Sequence, residues 1–247
     1  MDPVAFSIGP FAVRWYGILI VSGIIIGLLL AMREGRKRCL APEYFYDFII
    51  VVIPAAIIGA RLYYVIFQWG YFSRHPGEIL AIWHGGLAIH GAIFAGLVAA
   101  IILTRHYQVN FWLVADIIAP SLILGQAIGR WGNFINQEAY GYPTDLPWAM
   151  YIDGAYRHPT FLYEFIWDFS GFLLLFWLSR RDVLRQGEVF LLYLIYYSLG
   201  RFVIEPFRTD SLMFGSIRVA QLVSVLLIIA GAGLLWYRRK KQPEGGS

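Results

Sequence analysis

Arg130, Asn133, Asn136 and Glu138 crowd into one run, Gly-Arg-Trp-Gly-Asn-Phe-Ile-Asn-Gln-Glu-Ala-Tyr-Gly at 129–141. The segment before it, 111–129, is apolar enough to cross a bilayer, so the run closes a membrane span. A charge at such depth costs about 2.5–3.5 kcal/mol on an insertion scale unless it is partnered, which makes Arg130 a functional candidate. Tyr197, Arg201, Glu205 and Arg208 form a second cluster, with i, i+4, i+8, i+11 spacing on one helical face. Arg201 and Glu205 can pair, and one reading is an ion pair that only fixes helix packing. Two arginines arriving from different spans, with tyrosine and asparagine donors beside them, suit a phosphate better. The guanidinium fork binds phosphate oxygens in a bidentate way and stays charged when buried.

His90, in Gly-Gly-Leu-Ala-Ile-His-Gly at 85–91, is either a polar helix-start residue bonded to a carbonyl or a base working near neutral pH. Tyr16 stands at the start of the first span, where an isolated tyrosine reads as an interfacial belt residue. Asp116, Glu164 and Asp168 read as structural carboxylates, paired with Arg61 or with donors on neighbouring helices. His84 and His90 are six residues apart across a loop and a helix start, a poor ligand spacing, so no metal is expected. No CxxC, HExxH, GxSxG or P-loop pattern occurs. The single cysteine, Cys39, excludes an internal disulfide.

The elements that must position these groups are membrane helices. The chain is 59% hydrophobic and 15% charged, outside the range of ordinary soluble domains. Seven runs are long enough to span: 15–32, 47–67, 88–104, 111–130, 161–179, 188–207 and 218–237. The expected fold is all-α and polytopic, one transmembrane enzyme domain over 1–241. Loops 68–87 and 131–160 lie on the outer face, and a disordered tail follows at 242–247. Residues 3–13 are too short to span and are expected along the outer interface. Twelve of the twenty Lys and Arg follow the first, third, fifth and seventh spans, against five on the other side. The bias puts the N-terminus outside and the tail in the cytoplasm. Charge follows the first span where a cleavage site would stand, so that helix is expected to be retained. The net charge of +4 sits in these loops and points to lipid head groups, not nucleic acid.

Beyond the run at 129–141, further pieces occur in order. They are Ser-Ile-Gly-Pro with Arg-Trp-Tyr-Gly near the N-terminus, Gly-Gly-x-x-x-His-Gly, Asp-Ile-Ile-Ala-Pro at 116–120, Arg-His-Pro-x-x-x-Tyr-Glu at 157–164 and Gly-Arg-Phe-x-x-Glu-x-x-Arg at 200–208. In these the chain resembles the prolipoprotein diacylglyceryl transferases over most of its length. The resemblance implies a seven-span enzyme of the bacterial inner membrane. Its substrates would be phosphatidylglycerol and a prolipoprotein, whose lipobox cysteine receives the diacylglyceryl group as a thioether while glycerol phosphate leaves. Residues that the family regards as functional fall on Tyr16, His90, Arg130, Asn133, Glu138, Gly141, Tyr197, Arg201 and Glu205. The stretch between the run and Arg157 is shorter than in some members, so substrate entry on that face is expected to differ.

The chemistry fits these residue types. Sulfur displaces a phosphate monoester from a glyceryl carbon, and a thiol of pKa about 8.5 needs a base or a positive field to become a thiolate. His90 is the expected base. Arg130 and Arg201 are expected to stabilise charge on the leaving oxygen, with Asn133 and Tyr197 as orienting donors and Asn136, Glu138, Gly141, Glu205 and Arg208 around the substrate. No cofactor is required, because the phosphodiester already activates the lipid. Two other classes compete. A secondary transporter would show related halves with broken helices, and a seven-span receptor gives no reason for a polar cluster at a span end. Topology is testable. In a Cys39→Ser background, a cysteine at Gln186 should resist impermeant thiol reagents in intact cells, and one at Asp145 should be labelled. The reverse pattern would overturn the orientation.

Overall fold

Inside hydrocarbon a backbone has only its own helix to satisfy its N–H and C=O groups, so each apolar run is expected to be helical from end to end. The computed structural model has this form. It describes every residue except Met1, Pro10, Asp182 and 242–247, and leaves out the side chains of Phe11 and His84. The expected disordered tail at 242–247 therefore lies outside the described residues.

In chain order, a hairpin of β1 (Val4–Ile8) and β2 (Phe11–Arg14) leads into α1 (Trp15–Lys37), α2 (Pro42–Phe67), a single turn α3 (Trp69–Phe72), α4 (Ile89–His106) and α5 (Phe111–Asn136). A second hairpin, β3 (Met150–Ile152) and β4 (Ala155–Arg157), precedes α6 (Thr160–Leu178) and α7 (Glu188–Ile204). A last hairpin, β5 (Met213–Phe214) and β6 (Ile217–Arg218), precedes α8 (Val219–Lys241). Among the described residues seven helices are long and apolar enough to cross a membrane, which makes this an all-α, multi-pass membrane protein. Large apolar side chains such as Ile50, Ile66, Phe94 and Ile229 stay exposed along them, as expected where lipid is the solvent.

Several helices run a few residues past the expected span ends, and one such extension bears on the polar run. α5 continues to Asn136, so residues 129–136 of the polar run are its last two turns, and the loop expected from 131 begins after it. The sixth span runs over 188–207 as expected, with α7 ending at Ile204 and tightening into a 3₁₀ turn at Glu205–Phe207. Pro206 has no N–H to return to the carbonyl of Phe202, and the side chain of Gln221 donates to that carbonyl instead, at 3.2 Å. Within and just after the stretch 3–13, expected along the outer interface, Val4–Ile8 and Phe11–Arg14 pair as an antiparallel ladder from Val4 opposite Arg14 to Ile8 opposite Phe11.

The chain divides into two compact units, Met1–Ala31 with Ala115–Ser247, and Met32–Val114. In the first, Ala119, Ile123, Leu175, Val189 and Tyr193 form a core joining α5, α6 and α7. α1 reaches α5 through glycine: the Ser121 hydroxyl donates to the Gly27 carbonyl at 2.9 Å, and Gly23 faces the Gly125 backbone. Buried Asp116 caps α7 from another helix, accepting the N–H groups of Gly187 at 2.5 Å and Phe190 at 2.9 Å. These N-terminal donors have no partner within α7. Arg239 of α8 clasps Glu188 of α7 with two bonds, 2.7 and 2.8 Å. In the second unit, α2 and α4 pack backbone to backbone at Gly59 and Gly91.

α6 and α7 meet at Gly200, where an added Cβ would stand 2.2 Å from the Trp167 indole. Overpacking of this kind costs about 1–3 kcal/mol. Gly200→Ala should therefore lower the melting temperature of the purified protein in micelles. Gly233→Ala, whose Cβ would enter open space on α8, should not. Equal melting temperatures would show that Trp167 yields freely.

Candidate active site

Glu164 is buried in an apolar helix, α6, where an ionised carboxylate needs a partner, and it finds three. Arg130 of α5 reaches one carboxylate oxygen at 3.1 Å, and Arg201 of α7 donates to the other at 2.7 Å. Arg208, just after the 3₁₀ turn, donates to both at 3.0 Å. Asp168, one turn further along α6, stands 3.7 Å from the Arg130 Nε, too far for a hydrogen bond. Arg201 also lies 2.8 Å from Glu205, an ion pair whose angles do not make a hydrogen bond. Fixed positive groups thus converge from three segments on buried carboxylates. Of the two partners expected for Asp116, Glu164 and Asp168, Arg61 or donors on neighbouring helices, the structure has the second for all three, while Arg61 donates to backbone carbonyls.

The three arginines are not equivalent. Arg208 also donates to Asp210, 3.0 and 2.7 Å away, four bonds in all with those to Glu164, and its side chain is only 7% exposed. Arg130 and Arg201 keep spare N–H groups and are 16% and 22% exposed. With five donors on each fork, these two can take an anion without first releasing Glu164. Outside the spans, Asp210 is half-buried, which alone would raise its pKa, but the bonds from Arg208 outweigh burial and hold its carboxyl below the usual range.

The last turns of α5 carry the amide donors. Asn133 and Asn136 both point their NH₂ groups at one oxygen of Glu138, 3.0 and 3.4 Å away. The chain turns there through two non-glycine residues in the left-handed region, Gln137 and Ala139. Buried Thr160 holds the turn through a 2.6 Å bond to the Ala139 carbonyl. Tyr16 of α1 packs on Gly132, where a Cβ would stand 2.1 Å from its ring. Gly141 is a backbone junction: it bridges to Arg208 and bonds to the His158 carbonyl, and a side chain would strike His158 and Phe207. The glycine therefore sets where Arg208 enters. Tyr197 stacks on Tyr193 along α7 and makes no hydrogen bond to the arginines.

His90 belongs to the other unit. Its ring is exposed and packs beside Tyr63, centroids 6.0 Å apart, and among the described residues no carbonyl binds it. A helix-start histidine bonded to a carbonyl is thus not what the structure has. The side chain of His84, paired with His90 in the metal question, is outside the described residues. The residue that sequence reasoning undervalued is Glu164. Its signal was available: two carboxylates one turn apart, Glu164 and Asp168, in an apolar span, matched by arginines in two others.

Comparison with known proteins bears directly on this constellation. The family profile described as prolipoprotein diacylglyceryl transferase matches residues 3–237. A phosphatidylglycerol–prolipoprotein diacylglyceryl transferase of Limosilactobacillus reuteri is 48% identical over 254 residues, covering 98% of this chain and 92% of the relative. The Listeria innocua protein of that name is 50% identical over 253 residues, with 98% and 91% covered. The Bacillus licheniformis one is 50% identical over 257 residues, with 99% and 95% covered. A match that begins in the first hairpin and ends within the last span takes in every element that carries the arginine cluster: the chain belongs to the prolipoprotein diacylglyceryl transferase family.

Proposed function

We propose that this chain transfers the diacylglyceryl group of phosphatidylglycerol to the lipobox cysteine thiol of a prolipoprotein, as the names of its relatives describe. The observation that carries the reading is the convergence of Arg130 and Arg201, with donors to spare, on Glu164. The thiolate attacks the glyceryl carbon and forms a C–S bond. The C–O bond to phosphate breaks, and glycerol phosphate leaves with the electron pair. A phosphodiester with one negative charge becomes a monoester with two, and the thiol proton passes to His90.

The charges at the site favour that product. Arg130, Arg201 and Arg208 face Glu164, Asp168, Glu205 and Asp210, so the arginine charges are matched by carboxylates and no strong field pulls in anions indiscriminately. Charge that develops on the leaving oxygen meets guanidinium N–H groups already fixed by these carboxylates, in surroundings of low dielectric. Donors held in place before the reaction stabilise the transition state most. Arg208, with most of its donors taken, anchors Glu164. Asn133, Asn136 and Glu138 orient the head group, Gly141 keeps Arg208 in place, and Glu205 steadies Arg201. Tyr16 and Tyr197 border the substrate. The proposed enzyme domain runs over 1–241, in the cytoplasmic membrane of a bacterium, with the N-terminus outside and the basic tail in the cytoplasm. Purified protein given phosphatidylglycerol and a lipobox peptide should yield the thioether by mass spectrometry, and no mass gain would refute the assignment.

Arginine geometry can be separated from charge. Arg130→Lys or Arg201→Lys keeps the charge but loses the planar fork, so activity should fall on the order of 10²-fold or more. Arg105→Lys, at the end of α4, should be nearly silent. Full activity of Arg201→Lys at normal protein levels would assign that residue to packing.

The base is tested by pH. His90→Gln should retain fold and lipid binding while turnover drops by about 10²–10⁴-fold, the usual loss for a general base. Its residual activity should climb with pH until the thiol pKa of about 8.5 is passed, because hydroxide then makes the thiolate. Wild type should level off at lower pH. A variant profile that parallels wild type at reduced height would show that His90 positions substrate and that another group makes the thiolate.

A further inference from the structure

Arg61 is the most unusual charge in the second unit. It lies within α2, is buried, and has no carboxylate partner among the described residues. Its fork donates instead to four backbone carbonyls, Glu78 at 2.7 Å, Ile79 at 2.8 Å, Gly85 at 2.8 Å and Gly86 at 3.0 Å. Phe72 and Tyr64 close over the guanidinium, with centroids 5.2 and 5.8 Å away. One side chain therefore ties two separate stretches of the 73–88 loop to α2. Lysine has three donors on a single atom and cannot span both stretches.

The tie belongs to a series. Going down α2 from Arg61 to Ala60 to Gly59, the chain contacts Gly85 and Gly86, then Ala88, then Gly91. Arg61 binds the first pair, the Ala60 carbonyl accepts the Ala88 N–H at 3.1 Å, and Gly59 meets Gly91 backbone to backbone. Gly86 is in the left-handed region, and a Cβ there would stand 2.6 Å from Arg61 Nη1. His90 falls between the contacts at 88 and 91, with its ring beside Tyr63 of the same helix, α2. Its backbone is thus held on both sides by one turn of α2.

We propose that Arg61 is a positioning residue for the transfer reaction: through the Gly85–Gly86 backbone it fixes the start of α4 and hence the direction of the His90 imidazole. This rests on His90 acting as the base. A misplacement of about 1 Å at a catalytic group can cost on the order of 10²-fold in rate. Arg61→Lys should therefore lower kcat by about tenfold or more, while KM for phosphatidylglycerol stays within about twofold.

A double-mutant cycle separates positioning from general destabilisation. Membrane vesicles carrying full-length Arg61→Lys, His90→Gln and the double variant would be assayed with phosphatidylglycerol and a lipobox peptide at matched protein levels. If Arg61 acts through His90, Arg61→Lys should cost less than about threefold once His90 is already Gln. Gly86→Ala, which crowds Arg61 from the loop side, should show the same loss and the same non-additivity, and it carries the test if Arg61→Lys does not accumulate. Equal fold-losses in both His90 backgrounds, or wild-type kcat in Arg61→Lys, would overturn the proposal. His90→Gln at wild-type rate would instead remove the base assignment itself, a distinguishable failure.

Discussion

Three guanidinium groups share the two oxygens of one glutamate, and most of the first unit is arranged so that they can. In a bilayer none of Arg130, Arg201, Arg208 or Glu164 can be ionised alone at tolerable cost, so each helix that carries one must bring it to the others. α5, α6 and α7 meet that requirement by packing around a small apolar core. Small residues allow the approach: Gly200 lets the Trp167 indole lie on α7, and Gly171 leaves room for Tyr196 and Ile123. Ion pairing and close packing are the same constraint here. Helices a few ångströms further apart would leave charges in lipid with no partner.

The ends of the helices carry as much of the arrangement as their middles. Asp116 supplies the N-terminal cap that α7 lacks in its own sequence, which fixes the axial position of α7 and so the height of Arg201. At the other end, Pro206 stops the α-helix, the 3₁₀ turn buries Glu205, and extended Arg208 bridges back to Gly141. An uninterrupted helix would carry Arg208 onward along the α7 axis. The turn instead swings it to Glu164. Arg208, held by four bonds to Glu164 and Asp210, then acts as a rigid strut behind the two arginines that keep more of their donors free.

The second unit solves a different problem by similar means. Its loop of 73–88 has no regular strand or long helix to satisfy its carbonyls, and a buried arginine does so from α2. Here a charge is stabilised by four dipoles and two aromatic faces, with no counter-ion among the described residues. Such an arrangement transmits the rigidity of a membrane helix to a loop, and the histidine proposed as base stands at that loop's end.

Hydropathy is a one-dimensional property, and the seven spans were legible because a bilayer imposes the same length on every crossing regardless of neighbours. The polar run at 129–141, the face shared by Arg201 and Glu205, and the candidacy of His90 were equally legible, since each depends on residue types at short spacing. Partner choice was not. Glu164 and Asp168 were readable as buried carboxylates, but whether they meet Arg61 or Arg130, Arg201 and Arg208 depends on which helices adjoin, and four segments distant in sequence decide it. Nor could local pattern show that α5 continues through Asn136, that residues 4–14 pair as a hairpin, or that Arg61 needs no carboxylate. For Arg61 the reason is distance: its carbonyl partners lie 17 to 25 residues away in the chain, and the cap that Asp116 gives Phe190 lies 74 away. Residue identity determined what must be buried and what must be paired; only the packed helices decided with whom.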